Sequence, residues 1–333
     1  MWFEHSPTPQ KIAVAATLLV ILVVTLSPAG NGPPLQLSFE LGVGPHWLAD
    51  GILNVFLFLP FGLALGWKAR SPLTAVCGGL LLSIMVELAQ MWIPGRDPSL
   101  SDIIANTTGT AVGALLGLRP GVWLAPDARN SAALTALGVG AATLVMTLTG
   151  VLVAPEGSFA ITRDGRDLVI SSHARAAAAG LDLPEYWLAD AFPDSSSPNT
   201  GSLPVLRDGP RWYVRVREKQ ATLGPTVGTG WELLEYTDRI ARRWGRLLDA
   251  VWVLVLCLPI GFWARTQRVL VAAVCVVILV LLWLPQLTGV MSTPLTEWMG
   301  AALGFLAGAS ISWLTRRLSN GRAEKTSLSE TRR

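Results

Sequence analysis

Eight apolar runs decide what this chain can become. They fall at about residues 12–28, 49–67, 72–93, 101–118, 131–153, 247–264, 269–288 and 295–314. Each is close to the roughly 20 residues that a helix needs to cross the hydrocarbon core of a bilayer. Only 15% of the residues are charged, against about 25% in a typical soluble domain. The expected fold class is therefore an α-helical integral membrane protein of about eight transmembrane helices. The first run could pass for a signal peptide, but only Lys11 lies near it and it has a counterpart later in the chain. It is expected to be a retained helix. A net charge of +3, with no basic run interleaved with exposed aromatics, gives no reason to expect a nucleic-acid partner. Cys77, Cys257 and Cys275 all sit in apolar runs and form no CxxC pair, so no metal site or structural disulfide is expected. No cofactor motif is present.

Lysine and arginine placement sets the expected orientation. The loops 29–48 and 286–294 carry neither, whereas 65–71, 119–130, 264–268 and the tail after 315 do. Positive charge collects on the cytoplasmic side. This predicts a multi-pass protein of the cytoplasmic (inner) membrane with both termini in the cytoplasm. Arg96 is the exception. Trp47, Trp67, Trp92, Trp263 and Trp298 stand near the ends of the runs, where an interfacial belt would put them.

Residues 155–245 are polar and fall on the outer side by this count. Asp164-Gly165 and Asp208-Gly209 each separate two short β-prone runs, the pattern of a hairpin turn. A small β-rich extracytoplasmic domain is expected there, offering a surface for an extracytoplasmic protein partner. Residues 236–248, with Arg239, Arg242, Arg243 and Arg246, read as a basic amphipathic helix on the membrane surface.

The chain also matches itself. Asp50 to Gly62 pairs without gaps with Asp249 to Gly261, and Ala75-Val76-Cys77 with Ala273-Val274-Cys275. Gly109, Gly113 and Gly117 pair with Gly300, Gly304 and Gly308, and Ala15 to Leu18 with Ala141 to Leu144. The order is kept, so two parallel four-helix repeats are expected, with the β-rich segment inserted in the second. The expected parts are a first repeat at 1–120, a cytoplasmic loop and fifth helix at 121–154, and the outer domain at 155–245. The last three helices at 246–315 and a basic tail at 316–333 complete it. Glycines spaced by four on one helix face read as packing sites.

The polar residues are unevenly shared. The first half places Asn54, Glu87, Gln90, Arg96, Asp97, Asp102 and Asn106, with His46 and Asp50, in one layer at the outer helix ends. On the sequence pairing, Asn54 becomes Val253, Asp102 becomes Thr293 and Asn106 becomes Glu297, so the second half loses most of the set. A scaffold requirement would act on both halves; the asymmetry points to a site in the first. A carboxylate at membrane depth needs a partner or a wet cavity. Each residue also has a plainer role. Glu87 and Arg96 could be an ion pair, Asp102 could complete a capping box with Ser99, and Asn54 and Gln90 could bond helix to helix.

The stretch Asn54 to Gly62, then Glu87-Leu88-Ala89-Gln90, then Arg96, Asp102 and Asn106 before Gly109 resembles the VanZ-like membrane family over about residues 45–120. The resemblance implies a place of action at the cell envelope and a link to glycopeptide antibiotic resistance; it implies no reaction. Three functions are compatible with the residues. One is a pocket formed by Asn54, Glu87, Gln90, Arg96, Asp102 and Asn106 that binds a membrane lipid or a cell-wall or glycan component. There Arg96 would grip an anionic group. A second is a membrane enzyme using Glu87 with Asp102, or His46 with Asp50, as acid and base; no nucleophile motif accompanies them. The third is a transporter or flippase.

Overall fold

A computed structural model describes residues 9–29, 46–67, 71–154, 159–164, 167–172, 175–181, 185–188, 205–208, 211–216, 219–234 and 238–330. Among these, seven helices are long and apolar enough to cross a membrane. They are α1 (Pro9–Leu26), α2 (Trp47–Gly66), α3 (Pro72–Gln90), α6 (Ala128–Val153), the Trp244–Trp263 part of α8 (Asp238–Trp263), α9 (Gln267–Thr288) and the Leu295–Arg317 part of α10 (Leu295–Glu330). The expected eighth is present as a helix, α4 (Leu100–Leu118). Asp102, Asn106 and its threonines dilute its apolar residues, and it falls outside the set of seven. The short helix α5 (Pro120–Leu124) follows it.

The chain divides into two compact units, 1–125 and 126–333. In the first, α4 lies against α2 with almost no space between backbones. A Cβ on Gly109, Gly113 or Gly117 would fall inside the carbonyl oxygens of Val55, Leu59 and Leu63, and one on Gly62 inside that of Thr110. Without a hydrophobic drive between helices in lipid, such close backbone approach is what supplies packing energy. On α3 the buried residues Ala75, Gly79, Ser83, Val86, Glu87 and Gln90 form one stripe, spaced as one face of a helix requires, and Gly79 meets Thr110 of α4. Ile21, Phe58, Phe61 and Val86 make the apolar core where α1, α2 and α3 converge. Leu19, Phe56, Met85 and Leu115 point outward and are 60% exposed or more, as a wall facing lipid would be.

The second unit contains a close pair of the same kind. Gly300, Gly304 and Gly308 of α10 lie on the carbonyls of Ala250, Leu254 and Leu258 of α8, and Gly261 lies on that of Phe305. Proline stands inside both α2 (Pro60) and α8 (Pro259). These contacts correct the sequence register. Val55 pairs with Leu254, so the glycine seated on each makes Gly109 the counterpart of Gly304, not of Gly300. The shift is one helical turn, which a glycine repeat of four cannot reveal from sequence. Asp102 then pairs with Glu297, and Asn106 with Ala301. Asp50 still pairs with Asp249. At the place of Asp102 the second half thus carries Glu297, where the sequence pairing had expected Thr293, while Asp50 and Asp249 pair as expected and Asn54 still meets Val253.

Between α6 and α8 lie two antiparallel three-stranded sheets. One is β1 (Phe159–Asp164), β2 (Asp167–Ser172) and β3 (Glu185–Leu188); the other is β4 (Val205–Asp208), β5 (Arg211–Val216) and β6 (Lys219–Leu223). Both expected hairpins form, closing at Asp164 with Asp167 and at Asp208 with Arg211. The short helix α7 (Arg175–Ala178) lies in the alanine-rich stretch after β2. The basic segment expected as a separate surface helix is instead the start of α8, which runs unbroken from Asp238 to Trp263.

Candidate functional site

Four helix ends meet at one end of the first unit: the C-termini of α1 and α3 and the N-termini of α2 and α4. Between them is a cavity of about 230 Å³. All six sequence-predicted site residues line it: Asn54, Glu87, Gln90, Arg96, Asp102 and Asn106. Asp50 and Asp97 join them, with Val24, Thr25 and Leu57 as less polar wall. His46 stands at the N-cap of α2 and is not among the lining residues.

Glu87 is 2% exposed, and its Oε2 accepts the backbone N–H of Ser99 at 3.0 Å. Ser99 Oγ in turn accepts the N–H of Asp102 at 3.1 Å, the capping bond that starts α4. One serine thus holds the Glu87 carboxylate through its backbone N–H and the backbone of Asp102, at the start of α4, through its hydroxyl. The Asp102 Oδ1 also accepts the amide N–H of Asn54 at 2.7 Å. Only half of the anticipated capping box forms: Ser99 Oγ accepts the Asp102 N–H, but the Ser99 N–H goes to Glu87 and not to the Asp102 carboxylate. Asn106, 1% exposed, donates to Ser83 Oγ at 3.0 Å, while its own Oδ1 is buried with no protein partner among the described residues. Gln90 donates to the carbonyl of Thr25 at 2.9 Å and ties α3 to the end of α1.

Arg96 departs from expectation. It follows Gly95, whose φ of 72° sits in the left-handed region that glycine tolerates. Its Nε donates to the Ser27 carbonyl at 2.9 Å and its Nη2 to the Val24 carbonyl at 2.5 Å. The guanidinium therefore caps the negative end of α1. Among the described residues it makes no ion pair with Glu87 or Asp102. The lining carries four carboxylates, of Asp50, Glu87, Asp97 and Asp102, against this one cation. Of the anionic or glycan-type ligands considered from the sequence, one that brings hydrogen-bond donors would meet more partners in this lining than an anionic one.

Among the described residues, no group of three or more His, Cys, Asp or Glu side chains is placed to hold a metal ion. Sequence reasoning missed Ser83, Thr25 and the double use of Ser99. Ser83 was findable: it lies four residues before Glu87 on the buried face of α3. The carbonyls of Val24 and Ser27 carry no side-chain signal at all.

Residues 8–124 match the family model described as VanZ/LLP1. No curated protein and no solved structure matches the chain.

Proposed function

We propose, from the premise that residues 8–124 make this chain a VanZ-like membrane protein, that its first unit binds the polar head of a cell-envelope lipid or glycan component. The observation that carries this is the buried Glu87, bonded to Ser99, with the half-buried Asp102 beside it at a cavity of about 230 Å³. Holding two acids at membrane depth costs stability, and they face a space that a headgroup can enter. The positive-inside pattern puts this end of the bundle at the outer leaflet, and α4 is taken as an eighth span. The two units are taken as diverged copies of one four-helix repeat, which the shared glycine seating supports. The sheets are taken as an extracytoplasmic insertion that can recruit a protein partner. Ile21, Phe58, Phe61 and Val86 pack into an apolar cluster about one turn inward from the lining residues Thr25, Asn54 and Gln90, which supports binding over passage through the bundle. Any influence on glycopeptide susceptibility would follow from withholding or presenting the bound component.

The test is mass spectrometry of lipids and small molecules that co-purify with the detergent-extracted protein, comparing wild type with Glu87→Gln and Asp102→Asn. A species enriched with wild type and depleted in both variants supports the proposal and identifies the ligand. Matching profiles from folded variants would reduce the acids to packing elements and end it.

A further inference from the structure

The second unit shows what kind of group its two acids accept. Glu297 stands where Asp102 stands in the first unit, and Asp249 where Asp50 stands. No cavity is needed to reach them, because the chain fills the place itself. After β6 the segment Gly224–Leu234 enters the unit, and Pro225 to Gly230 are all buried. Thr226 donates its hydroxyl to Glu297, which has no exposed surface. Trp231 donates its indole N–H to Asp249 at 2.8 Å. A Cβ on Gly228 would collide with the Glu297 carboxylate, and one on Gly230 with Thr149 and Trp252. The segment is thus seated as closely as a ligand in its pocket. One oxygen of Glu297, Oε2, and the buried indole nitrogen of Trp252 keep no partner among the described residues.

From this we infer that the first unit's cavity takes a neutral, hydroxyl-bearing headgroup of the glycosyl type, which donates to Asp102 and Asp50 as Thr226 and Trp231 donate to Glu297 and Asp249. This rests on the binding function proposed above and narrows it. An excess of carboxylates alone would suit an ammonium headgroup equally well. The self-filled counterpart uses uncharged donors, an alcohol and an N–H, for the same two acids. A sugar ring presents several such donors within one compact body. It also leaves donors to spare for Glu87 and the unpartnered Oδ1 of Asn106.

The full-length protein in phosphatidylcholine nanodiscs would be offered glucosyl-diacylglycerol, phosphatidylethanolamine or free glucose, and occupancy read by native mass spectrometry. Retention of the glucosyl lipid over phosphatidylethanolamine by about tenfold or more is expected, with a comparable loss in Asp102→Ala. Free glucose displacing the glucosyl lipid would make the sugar itself the recognised body; glucosyl lipid held without such competition would make the lipid its source. Both outcomes support the inference. Preference for phosphatidylethanolamine would overturn the neutral-donor inference and leave the binding function standing. Retention of neither lipid, or equal retention by wild type and folded Asp102→Ala, would overturn both. If Asp102→Ala does not fold, the wild-type preference between the two lipids still decides, with Glu87→Gln as the second variant.

Discussion

Asn54 and Arg96 look alike in sequence, as polar residues of one layer, yet they serve different ends. Asn54 spends its amide N–H on Asp102, so Asn54→Ala strands a half-buried acceptor. Such a loss costs about 1–3 kcal/mol and should lower the thermal midpoint followed by helical circular dichroism in detergent. Asn54→Asp should lower it further, because it sets a second carboxylate within 3 Å of the first. Arg96 spends its donors on the carbonyls of Val24 and Ser27. Arg96→Ala should therefore destabilise the protein by about 1–2 kcal/mol while the co-purifying species stays the same. Loss of that species from a folded Arg96→Ala protein would show that the guanidinium holds ligand after all. Which residues line the cavity was legible because polar residues in apolar helices stand out. Their partners were not, since a backbone carbonyl at a helix end leaves no trace in residue type.

At the scale of elements, spacing located the helices and left their register open. The apolar runs begin and end within a few residues of α1, α2, α3, α6, α9 and the apolar part of α8, and both Asp-Gly turns sit where hairpins close. The strands β3 and β6 went unrecognised because neither is marked by a turn signal of that strength. The glycine repeat of α10 gave the right face and the wrong turn, because a four-residue period matches itself at every step. Only contact with α8 settles which glycine meets which carbonyl. The same contacts predict a contrast between two conservative changes. Gly113→Ala drives a methyl into the backbone of α2 near Leu59 and Leu63, whereas Gly121→Ala meets nothing within 4 Å. The first should cost on the order of 1–3 kcal/mol or abolish folding, and the second should be neutral or slightly stabilising. Thermal unfolding of the two variants side by side checks this; equal behaviour would remove the seating of α4 on α2 from the account. In the second unit Gly228→Val should expel Gly224–Leu234 from its place beside Glu297. The expected sign is new protease cleavage within that segment, with the first unit left intact.

For the whole molecule, α4 decides on which side of the membrane the ends emerge. Seven crossings place the termini on opposite sides; eight place them together. By composition α4 falls outside the seven candidate spans, but its buried polar residues share one face, and Thr108 on the outer face returns its hydroxyl to the Ile104 carbonyl. Asn106, Gly109, Thr110 and Gly113 are buried, while Ile104, Val112, Leu115 and Leu116 are between 41% and 60% exposed. A helix whose buried polar residues meet α2 and α3 and whose outer side is mainly apolar is fit to cross lipid, because mean hydropathy averages two faces that the bilayer treats separately. The basic loops after α2 and α4 and the basic tail after α10 are the pattern that an even number of crossings would give. Fusions of a cytoplasm-active reporter and a periplasm-active reporter to each terminus should therefore report cytoplasm at both ends. Opposite locations would make α4 a re-entrant segment, and the cavity at its N-terminus would then need a different route of access for its ligand.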